Sequence, residues 1–160
     1  MFREMRRNKQ LLSKEESIAI LKKETAGVLA LSGDGGYPYA VPLSYVYDDN
    51  KIYFHSAVNG HKIDAVKSSS KASFCVIHRD QIMPEEYTTY YKSVIAFGQI
   101  RVLTEESEKR TAIELLAKKY HPTDTPAGRN AAIDDAWSRL ALLELRIEHM
   151  TGKAAKELMR

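Results

Sequence analysis

The stretch Gly35–Lys67, GGYPYAVPLSYVYDDNKIYFHSAVNGHKIDAVK, decides how this chain folds. Two runs rich in aromatic and β-branched residues, Tyr37–Tyr47 and Lys51–His55, flank the turn Asp48-Asp49-Asn50 and predict a hairpin. Pro42 lies inside the first run. A residue without an N–H fits an edge, a bulge or a ligand-facing break in a ladder. The second run ends in Phe54-His55-Ser56-Ala57. A short loop then reaches Gly60-His61-Lys62, where a helical pattern begins. Helix N-termini offer unpaired N–H groups and a partial positive charge, and a lysine adds a full one. Ser56, the backbone from Gly60 to Ile63 and Lys62 are therefore a candidate phosphate cradle. The same residues would also suit an ordinary strand end and a solvated helix lysine.

Working towards the N-terminus, Gly33–Gly36 is a turn and Ala26–Ser32 an apolar strand. Ser13-Lys14-Glu15-Glu16 is a capping box that opens a helix running to about Thr25. Residues 1–12 form a basic arm with Arg3, Arg6, Arg7 and Lys9. No base-reading motif follows it, so a solvated arm or a strap on a partner subunit is expected.

Working towards the C-terminus, a strand is expected over Lys71–His78 and a polar connection over Arg79–Glu86. Tyr87–Leu103 is the longest β-like run, with a bulge or bend at Gly98. Thr104 is the expected cap of a helix ending near Tyr120. A second helical piece covers about Asn130–Arg139. Ala141–Ile147 reads as a last strand and Thr151–Arg160 as a short helical tail capped by Thr151. About six strands with hairpin-like neighbours predict a mainly β, mostly antiparallel barrel with peripheral helices, in a single domain over residues 1–160.

The 160 residues carry 24 basic and 21 acidic side chains, a net charge of +3, too balanced to argue for nucleic acid. One cysteine, Cys75, allows no internal disulfide. No apolar run has the length of a membrane span, and the basic start lacks an apolar segment behind it. A cytoplasmic protein without membrane or nucleic-acid partners is expected. The five histidines are scattered, which argues against a metal site. His55 and Ser56 are neighbours on a strand and point to opposite faces, so a serine nucleophile with that histidine is excluded. Tyr87, Tyr90, Tyr91 and Trp137 could border a planar ring, although such residues more often pack within a sheet or core.

Three segments carry a resemblance: Tyr37–Val76, Glu85–Ile100 with its EEYTTYYKSVIAFGQI, and Ile147–Leu158. Together they resemble the pyridoxamine 5′-phosphate oxidase-related flavin proteins, and within them the nitroimidazole-resistance group. The resemblance implies a six-stranded split β-barrel and a homodimer with two FMN sites at its interface. Val41, Pro42, Leu43 and Ser44 would border the isoalloxazine ring. Phe54, His55, Ser56 and Ala57 would line the ring and ribityl chain. Lys62, with the helix start at Gly60-His61, would hold the phosphate, and Ser93 would add a flavin or substrate contact. His55 matches a family histidine near the reactive edge of the flavin, with His61 as the alternative. The implied activity is reduction of a flat nitroaromatic acceptor such as a 5-nitroimidazole. The alternatives are a non-catalytic flavin- or haem-binding module and an oxidase-like enzyme with another substrate. The segment Glu148–Lys153 lacks the arginine-x-histidine pattern of true pyridoxamine phosphate oxidases.

Overall fold

Ser13 starts the first helix as its sequence requires. Its Oγ accepts from the Glu16 N–H at 3.1 Å, and the Glu16 carboxylate accepts from the Ser13 N–H at 2.9 Å. Helix α1 (Lys14–Lys23) then buries Ile20 and Leu21. A computed structural model describes residues 1–159 and places one antiparallel sheet behind this helix. Its strands are β1 (Ala26–Ser32), β2 (Pro38–Ser44), β3 (Val46–Asp48), β4 (Lys51–Ala57), β5 (Lys71–Met83), β6 (Thr88–Val102) and β7 (Leu140–Ala154). Three more α-helices are present among the described residues, α2 (His61–Ser68), α3 (Glu106–Tyr120) and α4 (Pro126–Ala136).

The strand order is β2-β1-β5-β6-β7-β4-β3, seven strands where six were expected. The extra strand comes from the expected run Tyr37–Tyr47, which divides at Tyr45. Its first part pairs with β1 and its second part with β4, at opposite ends of the sheet. The ladder does not close, yet its two edges are consecutive in the chain. Tyr45 makes this break tolerable. Its N–H donates to the Tyr120 hydroxyl at 3.0 Å, and its carbonyl accepts from the Lys119 ammonium at 3.1 Å. Its fully buried ring packs edge-on against Phe74, and its hydroxyl donates to the Leu21 carbonyl at 2.7 Å. The end of α3 thus satisfies backbone groups that a continuous ladder would have used.

Turn chemistry follows the sequence. Asp49 and Asn50 take φ of 42° and 64°, as a two-residue hairpin with the twist of its strands requires. Between β6 and β7, Phe97 faces His149 and Gly98 faces Ile147, so Glu148 is the extra residue of a bulge where Gly98 marks it. One core lies between the sheet, α1 and α2, around Phe54, Phe74, Leu29 and Val94. A second lies between α3 and the outer side of β4 and β7, around Tyr53, Leu116 and Leu142. β7 is therefore buried on both faces from Leu140 to Leu145.

Other expectations are corrected. β5 continues to Met83 through the polar segment 79–83, because its pairing with β6 persists to Met83↔Thr88. Thr151 does not cap a helix. It pairs with Ile95 in a β7 that runs on to Ala154, and a 3-10 turn, Lys156–Leu158, follows; Arg160, where the expected tail ends, lies outside the described residues. The N-cap of α3 is Glu105, not Thr104, and its side chain makes no capping bond. Thr125 caps α4 by accepting from the Gly128 N–H at 3.0 Å, so that helix begins earlier than expected. The basic arm lies on its own sheet. Leu12 is buried and donates to the Gly152 carbonyl at 2.9 Å, and the Phe2 ring stacks on His149 at 4.8 Å. No helix among the described residues is long and apolar enough to cross a membrane.

Candidate ligand site around β4 and α2

Alternation along β4 separates the candidate residues. The Phe54 side chain is fully buried against Phe74, with ring centroids 5.0 Å apart, so only its backbone can face a ligand. His55 points the other way, to the side covered by α3 and α4, and is exposed. Ser56 is half-buried, and its hydroxyl donates to the Ala57 carbonyl at 3.0 Å. The Lys62 ammonium donates to Ser56 Oγ at a long 3.5 Å and joins no salt bridge among the described residues.

The loop from β4 to α2 needs glycine at position 60. Its φ of 132° is a conformation that L side chains rarely adopt. Gly60 is the N-cap of α2 and has no side chain to accept from the first turn. The first hydrogen bond of the helix is Asp64 N–H to the Gly60 carbonyl at 3.1 Å. The N–H groups of His61, Lys62 and Ile63 thus lack helical acceptors beside a lysine and a serine hydroxyl. An uncapped helix start with a cation beside it can hold an anion such as a phosphate monoester. Surrounding protein shields Lys62 from water and holds its ammonium below the usual lysine range. The same shielding, and then the Lys62 charge, lower the pKa of His55. A dianion placed here would relieve Lys62 most.

The His61 ring has partners of its own. Its ring stacks on Tyr39 at 4.0 Å, and its Nε2 lies 3.8 Å from the Asp34 carboxylate. It ties α2 to β2 and to the turn after β1. Val41 and Leu43 turn inward against the core, whereas Pro42 and Ser44 are exposed. Pro42 sits on an edge strand opposite Val28, one of the placements its missing N–H permits. Ser93 lies on β6 between Ile77 and Lys153. No hydrogen bond or salt bridge joins Pro42, Ser44 or Ser93 to Ser56 or Lys62 among the described residues. They instead share the outer face of the sheet. There Pro42, Val28, Cys75, Ile95 and Thr151 stand in one row across five strands. Ile77 and Phe97 flank that row, and Ile77 is 62% exposed.

The expected tyrosine cluster is dispersed. Tyr87 is exposed at the β5–β6 hairpin tip, Tyr90 bonds the Glu86 carboxylate, and the Tyr91 hydroxyl donates to Gln10 at 3.3 Å. Trp137 lies under the Lys109 ammonium at 4.5 Å. Sequence reasoning missed a cavity of about 350 Å³ between α3, α4 and the end of β4, which His55 lines. Its signal was alanine at facing helix positions, Ala117, Ala132 and Ala136, where larger side chains would have filled the gap.

A family model described as pyridoxamine 5′-phosphate oxidase matches residues 13–154. Three solved structures are similar in fold. A candidate 5-nitroimidazole antibiotic resistance protein from Bacteroides thetaiotaomicron is 19% identical, with 90% of this chain and 86% of that one covered, at a TM-score of 0.76. An FAD and haem binding protein from Mycobacterium smegmatis is 22% identical over 92% of this chain and 73% of that one, at 0.75. An FAD-binding protein from Mesorhizobium loti is 24% identical over 91% and 97%, at 0.65. No curated protein matches the chain.

Proposed function

The chain belongs to the pyridoxamine 5′-phosphate oxidase family, and from that premise we propose that it binds FMN and reduces flat nitroaromatic acceptors. The observation that carries the cofactor reading is the uncapped α2 start beside Ser56 and the unpaired Lys62. The phosphate would accept from the N–H groups after Gly60 and from the Lys62 ammonium. FMN fits better than a cofactor without a terminal phosphate monoester, because a dianion suits this set of donors. A bound flavin supplies the electron chemistry, and the protein supplies binding, orientation and proton placement. The B. thetaiotaomicron relative supports the nitroaromatic class.

The action on an acceptor is assigned to His55 in this reading. With its pKa lowered it is neutral near pH 7, able to donate one ring N–H or to pass a proton through the other nitrogen. General acid–base catalysis contributes about 10²- to 10⁴-fold. For His55→Ala we expect flavin affinity to stay close to wild type while anaerobic reduction of a 5-nitroimidazole, with dithionite as the electron source for the flavin, falls at least about 10²-fold. Equal turnover would remove His55 from the chemistry, and no turnover by the FMN-loaded wild type would end the reductase reading.

A second copy of the chain is part of this proposal. The outer sheet face presents Val28, Ile77, Ile95 and Phe97 to solvent, and exposed apolar patches of this kind mark contact surfaces. Pairing through it would bring the Pro42 and Ser93 of one copy to the flavin site of the other. Light scattering should then give twice 18.1 kDa, and a clean monomer with bound flavin would contradict the shared site.

A further inference from the structure

The cavity between α3 and α4 has a chemical character of its own. Its walls are Ile113, Ala117, Ile133 and Ala136, and its polar groups include His55 and Arg129. Nε of Arg129 is buried without a hydrogen-bond partner. The guanidinium makes one long bond, from Nη2 to the Asp124 carbonyl at 3.4 Å, and joins no salt bridge among the described residues. The nearby Asp124 carboxylate is already engaged. It accepts from the Thr125 N–H at 2.8 Å and lies 3.7 Å from His121 Nδ1. Buried donors without partners are rare in folded proteins, and the Asp124 carboxylate that shares this lining makes no hydrogen bond to the guanidinium among the described residues.

A ligand that completes this site needs a flat apolar body and an anionic, two-oxygen group for the guanidinium fork. Pockets for small organic molecules start near about 300 Å³, so one substituted ring is the right size. We propose that this cavity binds a small aromatic carboxylate, with its ring between α3 and α4 and its carboxylate on Arg129. His55 lines the same cavity, so the bound ring is within the reach of that side chain. Binding itself does not require flavin; only the reduction of a nitro group carried on such a ring rests on the function proposed above.

Calorimetry with benzoate and nitrobenzene tests the site, because the two are alike in shape and differ in charge. Both should be titrated into the purified chain, without and with FMN. The expected result is benzoate binding at least ten-fold tighter than nitrobenzene, with the difference lost in Arg129→Gln. Ala136→Phe, which fills the slot, should abolish binding of both. Absent benzoate binding, equal affinities on the wild type, or an unaffected Arg129→Gln would each overturn the proposal. Should Arg129→Gln fail to fold, the wild-type pair of ligands still decides. Benzoate binding by a chain that takes up no FMN would leave the cavity standing while the cofactor reading falls.

Discussion

Gly98→Ala is expected to lower the stability of the fold by about 3 kcal/mol or more, the upper range for overpacking a close contact. A Cβ at this position would meet the Arg146 carbonyl oxygen at 1.9 Å and its carbon at 2.8 Å. Both atoms belong to the backbone of β7, so no side chain can swing aside. The backbone of Gly98 is not in the left-handed region, so the torsion itself would suit alanine. The loss therefore comes from contact, and it exceeds the roughly 0.4–1 kcal/mol that a stiffer unfolded chain returns. Relief requires opening the bulge at Glu148, which holds the register of the two longest strands, β6 and β7. Gly152 is a useful contrast. There the nearest atoms are Ser17 Oγ and Leu12 side-chain carbons, which can move. Urea unfolding of Gly98→Ala and wild type measures the difference, and coincident midpoints would show that the close approach is not rigid.

Lys62→Ala should weaken FMN binding by roughly 10- to 100-fold. A hydrogen bond to a charged group contributes about 1.5–3 kcal/mol, and each 1.4 kcal/mol is a factor of ten. The change should scarcely alter stability. In the free protein Lys62 makes only the long contact to Ser56 and is already disfavoured by its shielding from water. Lys62→Arg should recover part of the affinity, since the charge remains while the fork geometry differs. Flavin fluorescence titrations give the three constants. An unchanged affinity in Lys62→Ala would move the phosphate elsewhere.

The features legible in the sequence are those set by nearby residues. The capping box needs only Ser13 and Glu16, the hairpin turn only Asp49 and Asn50, and the bulge a glycine in a long β run. The break at Tyr45 was not legible. Its backbone is satisfied by Lys119 and Tyr120, more than seventy residues later, and nothing local distinguishes Tyr45 from its neighbours. The outer part of β5 was missed for a related reason. Residues 79–82 are exposed, so they carry no alternation of buried and exposed side chains to read. For β7, the expected helical tail was a capping motif read without its partner, since Thr151 is held by Ile95 across the sheet.

At the candidate site, the start of α2 was legible because a strand end, a glycine and a lysine are local features. The separation of its residues was less so. Phe54 and His55 were grouped by adjacency, yet the strand sends one into the core and the other to the α3–α4 cavity. Pro42 and Ser93 were grouped with Lys62 by resemblance. Within one chain they lie on the outer face of the sheet with no hydrogen bond to Lys62, and the proposed second copy would bring them to it.

The most direct test of that account is the absorbance spectrum of the purified protein, with any released chromophore identified by mass. Flavin bands and the mass of FMN are the predicted result. A colourless protein that also fails to take up added FMN would contradict it.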